Sequence, residues 1–510
     1  MDQAPYGGTL HFNLISFSLC FFFFLIFLKL FRGNKKITKF PPSPPKLPII
    51  GNLHQLGALP HQSLAALSKK YGPLMFLKLG QTPTLVVSSP KMAREIMKTH
   101  DLKFSNRPQT TPGKHLLYGC QDLAFSPYGE YWRQAKKMCV LELLSAKRVE
   151  AFQYVRDEEV GLLIDRIRRK SCDVICGDEC VNLKQMFMST TTNIISRCVL
   201  GEKFEDENGE SRFGDVSRRI LVLITAFSVG DFFPSFGWID VVRGFIRELK
   251  TTSKILDGFF DKIIEEHRTK MSVGKSDEEK DFVDIMLQLQ QDDMFDYHDF
   301  SLDRLKAILL DMFVGGSDTT ATSLEWAMTE LMRNPAAMKK VQEEIRTIVG
   351  NKPKIEMEDI EKMEYMHCVI KETLRLHPPA PFLVPRESAG EVEIEGYHIP
   401  SKTRVFVNVW AIQRDPMIWE KPNEFVPERF IQNSIDYKGH DFEFIPFGSG
   451  RRKCAGISFA ITSFEFALAN VLYWFDWKLP HGSVLDVDEE NGLTICKKKP
   501  LHLKPVPYYI

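Results

Sequence analysis

The sequence predicts a mainly α-helical fold with a small β component, built as one large domain behind an N-terminal transmembrane helix. Three observations carry that expectation. Helical periodicity runs through most of the chain after Ile49, short alternating runs interrupt it at a few places, and a long apolar stretch stands apart near the start. With 510 residues and 44% hydrophobic content there is ample material for a core. Lys and Arg together number 66, as do Asp and Glu, so no global field favours nucleic acid and electrostatic recognition must be local.

The apolar stretch is Phe12 to Phe31 and includes Phe21, Phe22, Phe23 and Phe24. As a helix it spans roughly 30 Å, the thickness of a bilayer core. Lys29, near its end, snorkels to the interface. Arg32, Lys35, Lys36 and Lys39 follow it, whereas Asp2 is the one formally charged side chain ahead of it. That asymmetry puts the N-terminus in the lumen and the remainder in the cytosol. A cleaved signal peptide needs charge before the apolar run and a small-residue site after it. Neither is present, so residues 1–31 read as a retained anchor. Residues 32–48 form a basic hinge ending in Pro41-Pro42-Ser43-Pro44-Pro45-Lys46-Leu47-Pro48, a stiff and extended connector.

Residues 49–510 show no second break in composition and read as one domain. Gly80 to Ser89 alternates like a strand, as do Val392–Ile394 and Arg404–Val409. Lys270–Lys280, charged and bearing Gly and Ser, reads as a surface loop. Ser301 is placed to cap a helix from about Leu302 to Asn334, closed by Pro335. Its middle, Gly315-Gly316-Ser317-Asp318-Thr319-Thr320, invites a local bulge or kink. The ten cysteines form no paired framework. Cys172, Cys176 and Cys180 stand four apart, yet no histidine joins them and Gly177 interrupts, so a surface turn is favoured over a metal face.

Phe447-Gly448-Ser449-Gly450-Arg451-Arg452-Lys453-Cys454-Ala455-Gly456 precedes an apolar helical run from Ile457 to Trp474. The helix N-terminus, Arg452 and Lys453 favour ionisation of Cys454. Gly450 and Gly456 let backbone approach the sulfur and leave room for a flat group above it. A dinucleotide-binding G-x-G-x-x-G loop is excluded because Lys453 occupies the third glycine position. The pattern F-x-x-G-x-R-x-C-x-G resembles the haem-binding loop of the cytochromes P-450, the haem-thiolate monooxygenases. That resemblance implies haem b (iron protoporphyrin IX), with Cys454 as axial ligand of the iron, Phe447 and Gly456 flanking it, and Arg452 on a propionate.

Further motifs extend the likeness over nearly the whole chain after the anchor. Gly315 to Thr320 resembles the family's oxygen-activation signature, which implies Thr319 as hydrogen-bond partner of the dioxygen being cleaved and Asp318 as proton relay. Glu372-Thr373-Leu374-Arg375 resembles the ExxR element, and Arg429 in Pro427-Glu428-Arg429-Phe430 matches the third member of its structural triad. Trp132 and Lys136 match the helix that clamps a propionate, Lys136 standing where many members carry arginine, and Arg386 matches another propionate partner. Arg133, Lys136 and Lys137, with Arg451 and Lys453, are placed to form a basic docking patch for an acidic electron donor. No flavin, nicotinamide or phosphate-loop motif is present, so the resemblance implies NADPH–cytochrome reductase as an external donor.

The motifs look most like plant microsomal members of the A type (family 71-like). Such enzymes imply a single pass through the endoplasmic reticulum membrane, a cytosolic catalytic domain and a monomer. Substrate-facing segments are expected at Leu116–Phe125, Phe213–Ala226, Leu309–Gly316, Ala380–Val384 and Gly492–Ile495. Phe125, Phe313, Phe382, Leu383 and Leu493 make that pocket apolar, which suits a lipophilic specialised metabolite such as a terpenoid, coumarin, indole or alkaloid. The alternatives are a haem-thiolate dehydratase or isomerase, for example on an aldoxime, and a non-catalytic haem carrier. Retention of Asp318 and Thr319 argues against both.

Overall fold

The computed structural model describes residues 39–172, 180–203, 214–270, 280–291 and 301–508. The anchor (1–31), Cys176, Phe213 and most of the loop after Lys270 lie outside the described residues. Five helices position the site: α1 (Glu130–Met138), α2 (Leu183–Leu200), α3 (Leu302–Arg333), α4 (Glu364–Leu376) and α5 (Ile457–Trp474).

The main sheet has four strands in the spatial order Leu74–Leu79, Thr82–Val87, Arg404–Val407, Arg386–Glu387. The first pair is an antiparallel hairpin turning at Gly80 and Gln81, so the alternation expected over Gly80–Ser89 belongs to its second strand. Thr82–Val87 then runs parallel to Arg404–Val407. A three-stranded sheet joins Val181–Asn182, His502–Pro507 and Phe475–Lys478 at the far side. The proline segment is docked rather than free. Pro42 O accepts the Phe76 N–H at 2.9 Å, and Phe40 packs its ring on Phe76 with centroids 5.3 Å apart. The packed body therefore begins before Ile49.

α3 crosses the middle of the domain and is almost wholly buried from Thr320 to Leu331. The helix runs through Gly315 and Gly316 without interruption or π-bulge. Side-chain hydroxyls back-bond along it instead, Ser317 to Phe313 O at 2.8 Å and Thr319 to Gly315 O at 2.7 Å. Gly316 has a packing reason: a Cβ there would lie 2.3 Å from Ile195 Cδ1 of α2. Thr191 of α2 adds a hydrogen bond to Ser317 O at 3.0 Å, fixing the two helices in register. Ser301 sits at the N-cap position without a side-chain capping bond, and the helix ends at Arg333, just before the expected stop at Pro335, which opens the next helix. α5 is long and apolar enough to cross a bilayer, but 67% of it is buried in the protein, as a core helix is.

Candidate active site

The cysteine loop is shaped by its glycines. Gly448 and Gly450 hold positive φ angles of 72° and 71°. At Gly450 a Cβ would sit 2.2 Å from Met97 O, so this glycine lets the loop close onto the segment before Asp101 rather than onto the sulfur. The Cys454 N–H donates to Phe447 O at 3.0 Å, and α5 starts three residues later. Among the described free cysteines Cys454 alone is exposed. Desolvation by the surrounding protein pushes the thiol up, while the Gly456 N–H, Lys136 and Lys453 pull it down. Arg452 is not among the groups acting on this thiol.

Arg452 spends its donors on backbone carbonyls, those of Ser105 at 2.8 Å, Leu123 at 3.2 Å and Ser126 at 2.5 Å. Its guanidinium lies 4.0 Å over the Trp132 ring, and Trp132 Nε1 donates to the same Leu123 carbonyl at 3.0 Å. Arg386 reaches Asp101 at 3.0 Å and Ser449 O at 2.7 Å. Lys136 turns inward to the carbonyls of Arg451 and Lys453, and so leaves the solvent patch in which the sequence placed it. Arg133 and Arg451 remain exposed, the former paired with Glu130 and the latter with Asp101. Arg107, which no sequence motif singled out, joins the group by donating to Ala124 O and Pro385 O, both at 2.9 Å.

These cations crowd one another. Burial first, and then Arg452 and Arg386, hold Arg107 well below the usual arginine range. Burial, followed by Arg386, brings Arg452 down to about 9. Lys136 falls to about 8, mainly through burial. Asp101 and Asp122 are the acids set against Arg107, Arg386 and Arg452, while Lys136 faces the Cys454 sulfur. The cluster is left with excess positive charge in a desolvated place, which calls for a bound anion.

On α3, Gly315 is exposed in mid-helix and its missing Cβ would meet nothing within 4 Å. One turn on, Thr319 carries the hydroxyl described above. Asp318 points to another side, where the Thr494 hydroxyl donates to Oδ2 at 2.7 Å and Thr322 stands 3.3 Å from that hydroxyl. Burial raises the Asp318 carboxyl, offset by Thr494 and Lys184. Thr494 was not anticipated as a site residue, although it lies in the expected segment Gly492–Ile495.

Glu372, Arg375 and Arg429 come together under the loop. Arg375 donates to both Glu372 oxygens at 2.7 and 2.9 Å, and to the carbonyls of Gln413, Pro422 and Glu424. Arg429 and the Val426 N–H complete the Glu372 acceptors at 3.0 and 2.8 Å. The expected pocket residues are more dispersed. Phe313 is buried on α3, while Phe125 and Leu493 are half-buried. Leu383 packs near Gly448, whereas Phe382 turns into the sheet's apolar cluster, its ring 5.2 Å from that of Phe406.

Comparison with known proteins agrees with this architecture. The family model described as Cytochrome P450 matches residues 41–505. Phenylacetaldehyde oxime monooxygenase of Prunus mume is 53% identical over 93% of this chain and 90% of its own length. Desmethylyatein synthase of Sinopodophyllum hexandrum is 47% identical, over 96% of this chain and 98% of its own. Strychnine-11-hydroxylase of Strychnos nux-vomica is 45% identical, with 97% of each chain covered. These likenesses define an oxidoreductase of the haem-dependent monooxygenase class. The chain belongs to the cytochrome P450 family, on the branch of its plant family-71 members. The residues present fit the family's haem: Cys454 offers an accessible sulfur, and the excess of buried cations beside it matches the anionic propionates that the porphyrin brings.

Proposed function

We propose that this protein is an endoplasmic-reticulum monooxygenase, anchored by residues 1–31, that oxidises a lipophilic plant specialised metabolite in a cytosol-facing domain. The observation that carries the reading is the overcharged cluster of Arg107, Arg386, Arg452 and Lys136 next to the one cysteine exposed among the described residues. Cys454 would hold the iron through its sulfur. Arg452, Arg386, Lys136 and Trp132 would donate to the propionates in charge-assisted hydrogen bonds, a stronger class than those to backbone carbonyls. Haem held there supplies dioxygen binding and reductive activation, with electrons from NADPH through an external reductase.

The remaining work falls to this chain's own groups. The Thr319 hydroxyl leaves Gly315 O to donate its hydrogen into the pocket beside exposed Gly315. Asp318 carries protons to it and is reloaded on its other side, through Thr494 and Thr322. Phe313, Phe125 and Leu493 exclude water and orient an apolar substrate. Arg133, Lys137 and Arg451 present positive charge outside the cysteine loop for the acidic donor. Two relatives' names, a phenylacetaldehyde oxime monooxygenase and a strychnine hydroxylase, make aromatic nitrogen-containing metabolites the first class to try.

The test uses membranes containing this protein and NADPH–cytochrome reductase, with isotopically labelled dioxygen and a panel beginning with phenylacetaldehyde oxime. NADPH-dependent gain of one labelled oxygen is expected. Conversion without NADPH would overturn the reading in favour of a dehydratase or isomerase. NADPH-dependent loss of a compound without label would replace oxygen insertion by desaturation, ring closure or cleavage.

A further inference from the structure

Two carboxyls meet between α3 and the loop before α1: Asp122, so far only a counter-charge to the cation cluster, and Asp311, which has had no role. Asp311 lies one turn before Gly315 on α3. Its Oδ2 accepts the N–H groups of Leu123 at 2.6 Å and Ala124 at 2.9 Å. Asp122, fully buried, accepts the Phe125 N–H through Oδ2 at 2.8 Å. Its Oδ1 is buried and finds no hydrogen-bond partner among the described residues, and the Asp311 carboxyl, seated on the two N–H groups that follow Asp122 in the chain, is its neighbour. A proton on one of two neighbouring buried carboxyls gives the orphaned oxygen the donor it lacks.

We propose that Asp311 is held neutral and donates its proton to ionised Asp122, forming a clasp that positions the Gln121–Ser126 segment over the pocket. Asp311 is the better proton carrier, because Arg107 and Arg452 stand on the Asp122 side and favour its charged form. Burial also pushes Asp311 well above the carboxylate range, and Asp122 is raised to about 6. The other titratable neighbours are Cys120, Tyr131 and Cys139, all kept neutral by burial, with Arg304 stacked on Tyr131.

The clasped segment serves both halves of the site. Phe125 is its pocket residue, and the carbonyls of Leu123, Ala124 and Ser126 are the acceptors that hold Arg452, Trp132 and Arg107 in place. α3 thereby fixes the cation cluster through one shared proton. Removing that proton leaves two adjacent buried carboxylates, which repel each other and release the segment.

The experiment uses the full-length holoprotein in two readouts. Infrared difference spectra of wild type against Asp311→Asn at neutral pH should show a protonated-carboxyl stretch that shifts in deuterium oxide. The same band should vanish in Asp122→Asn, whose amide donates to Asp311 and lets it ionise. Absence of the band, or its survival in Asp122→Asn, overturns the proposal. The second readout is haem transfer to excess apomyoglobin as pH is raised. In wild type the rate should climb about tenfold per pH unit as the ionised form grows. Asp311→Asn, which keeps both acceptor contacts and donates permanently, should be flat; an unchanged slope overturns the clasp. This second readout rests on Arg452 holding the cofactor. The infrared one does not, so failure of that reading and failure of the clasp are distinguishable.

Discussion

Thr494 shows how a side chain that carries no charge can govern one that does. Its hydroxyl is the donor that keeps the half-buried Asp318 carboxyl on one side of α3. Thr494→Val preserves shape and removes the donor. The expected result is more NADPH consumed per product and a larger solvent isotope effect, with Thr494→Ser restoring both; unchanged coupling in the valine variant counts against the relay. Glu465 is a simpler case. On α5, with 16% of its side chain exposed and His367 3.5 Å away, its carboxyl is raised by burial to about 7. A carboxyl raised in the fold favours the folded state when protonated. Stability is therefore retained below the ordinary value of 4.5 and declines as pH rises through about 7. Glu465→Gln should match wild type in urea unfolding near pH 4.5 and exceed it at about pH 8. At this scale the sequence made Cys454 legible because its loop is contiguous. Arg107 and Asp311 were not, although an acid inside the apolar run Ile308–Phe313 was the available signal.

Elements are joined by a few contacts that admit no substitute. The Glu372 carboxylate faces two arginines and a backbone N–H in a fully buried place, and Arg375 in turn carries three carbonyls from the chain between Gln413 and Glu424. Glu372→Ala strands two guanidinium groups, one of them fully buried, and should cost about 3–5 kcal/mol in chemical unfolding, with loss of haem incorporation. The spacing of Glu372 and Arg375 was readable as one helical face. Their burial was not, because it is imposed by residues some forty to fifty positions away. The α2–α3 crossing behaves differently. Gly316→Ala drives a methyl into Ile195 and should cost about 1–3 kcal/mol in thermal or urea unfolding. Ile195→Val, which shortens the opposing side chain, should recover part of that loss, and an additive double variant would refute the contact. The two glycines had suggested a kink, but sequence alone could not distinguish a bent helix from a close crossing, since both need the absence of Cβ.

Across the whole molecule, legibility followed distance along the chain. α5 was readable to its ends because eighteen residues of apolar composition define it locally. The docking of the proline segment was not, since it depends on Phe76 and His398. Nor was the cation cluster, which gathers residues from Asp101 to Lys453. That cluster has a consequence for the life of the protein in the cell. A newly made chain that has not met its cofactor carries like charges forced together with too few counterions, and so stands nearer its unfolding threshold than the finished enzyme. Proteases act on such chains first. Abundance should then be metered by the supply of tetrapyrrole rather than by translation alone. In a pulse-chase experiment, starving cells of haem precursors should shorten the half-life of this chain, and neutralising one cation with Arg107→Gln should lengthen it again under starvation while giving no benefit when haem is plentiful.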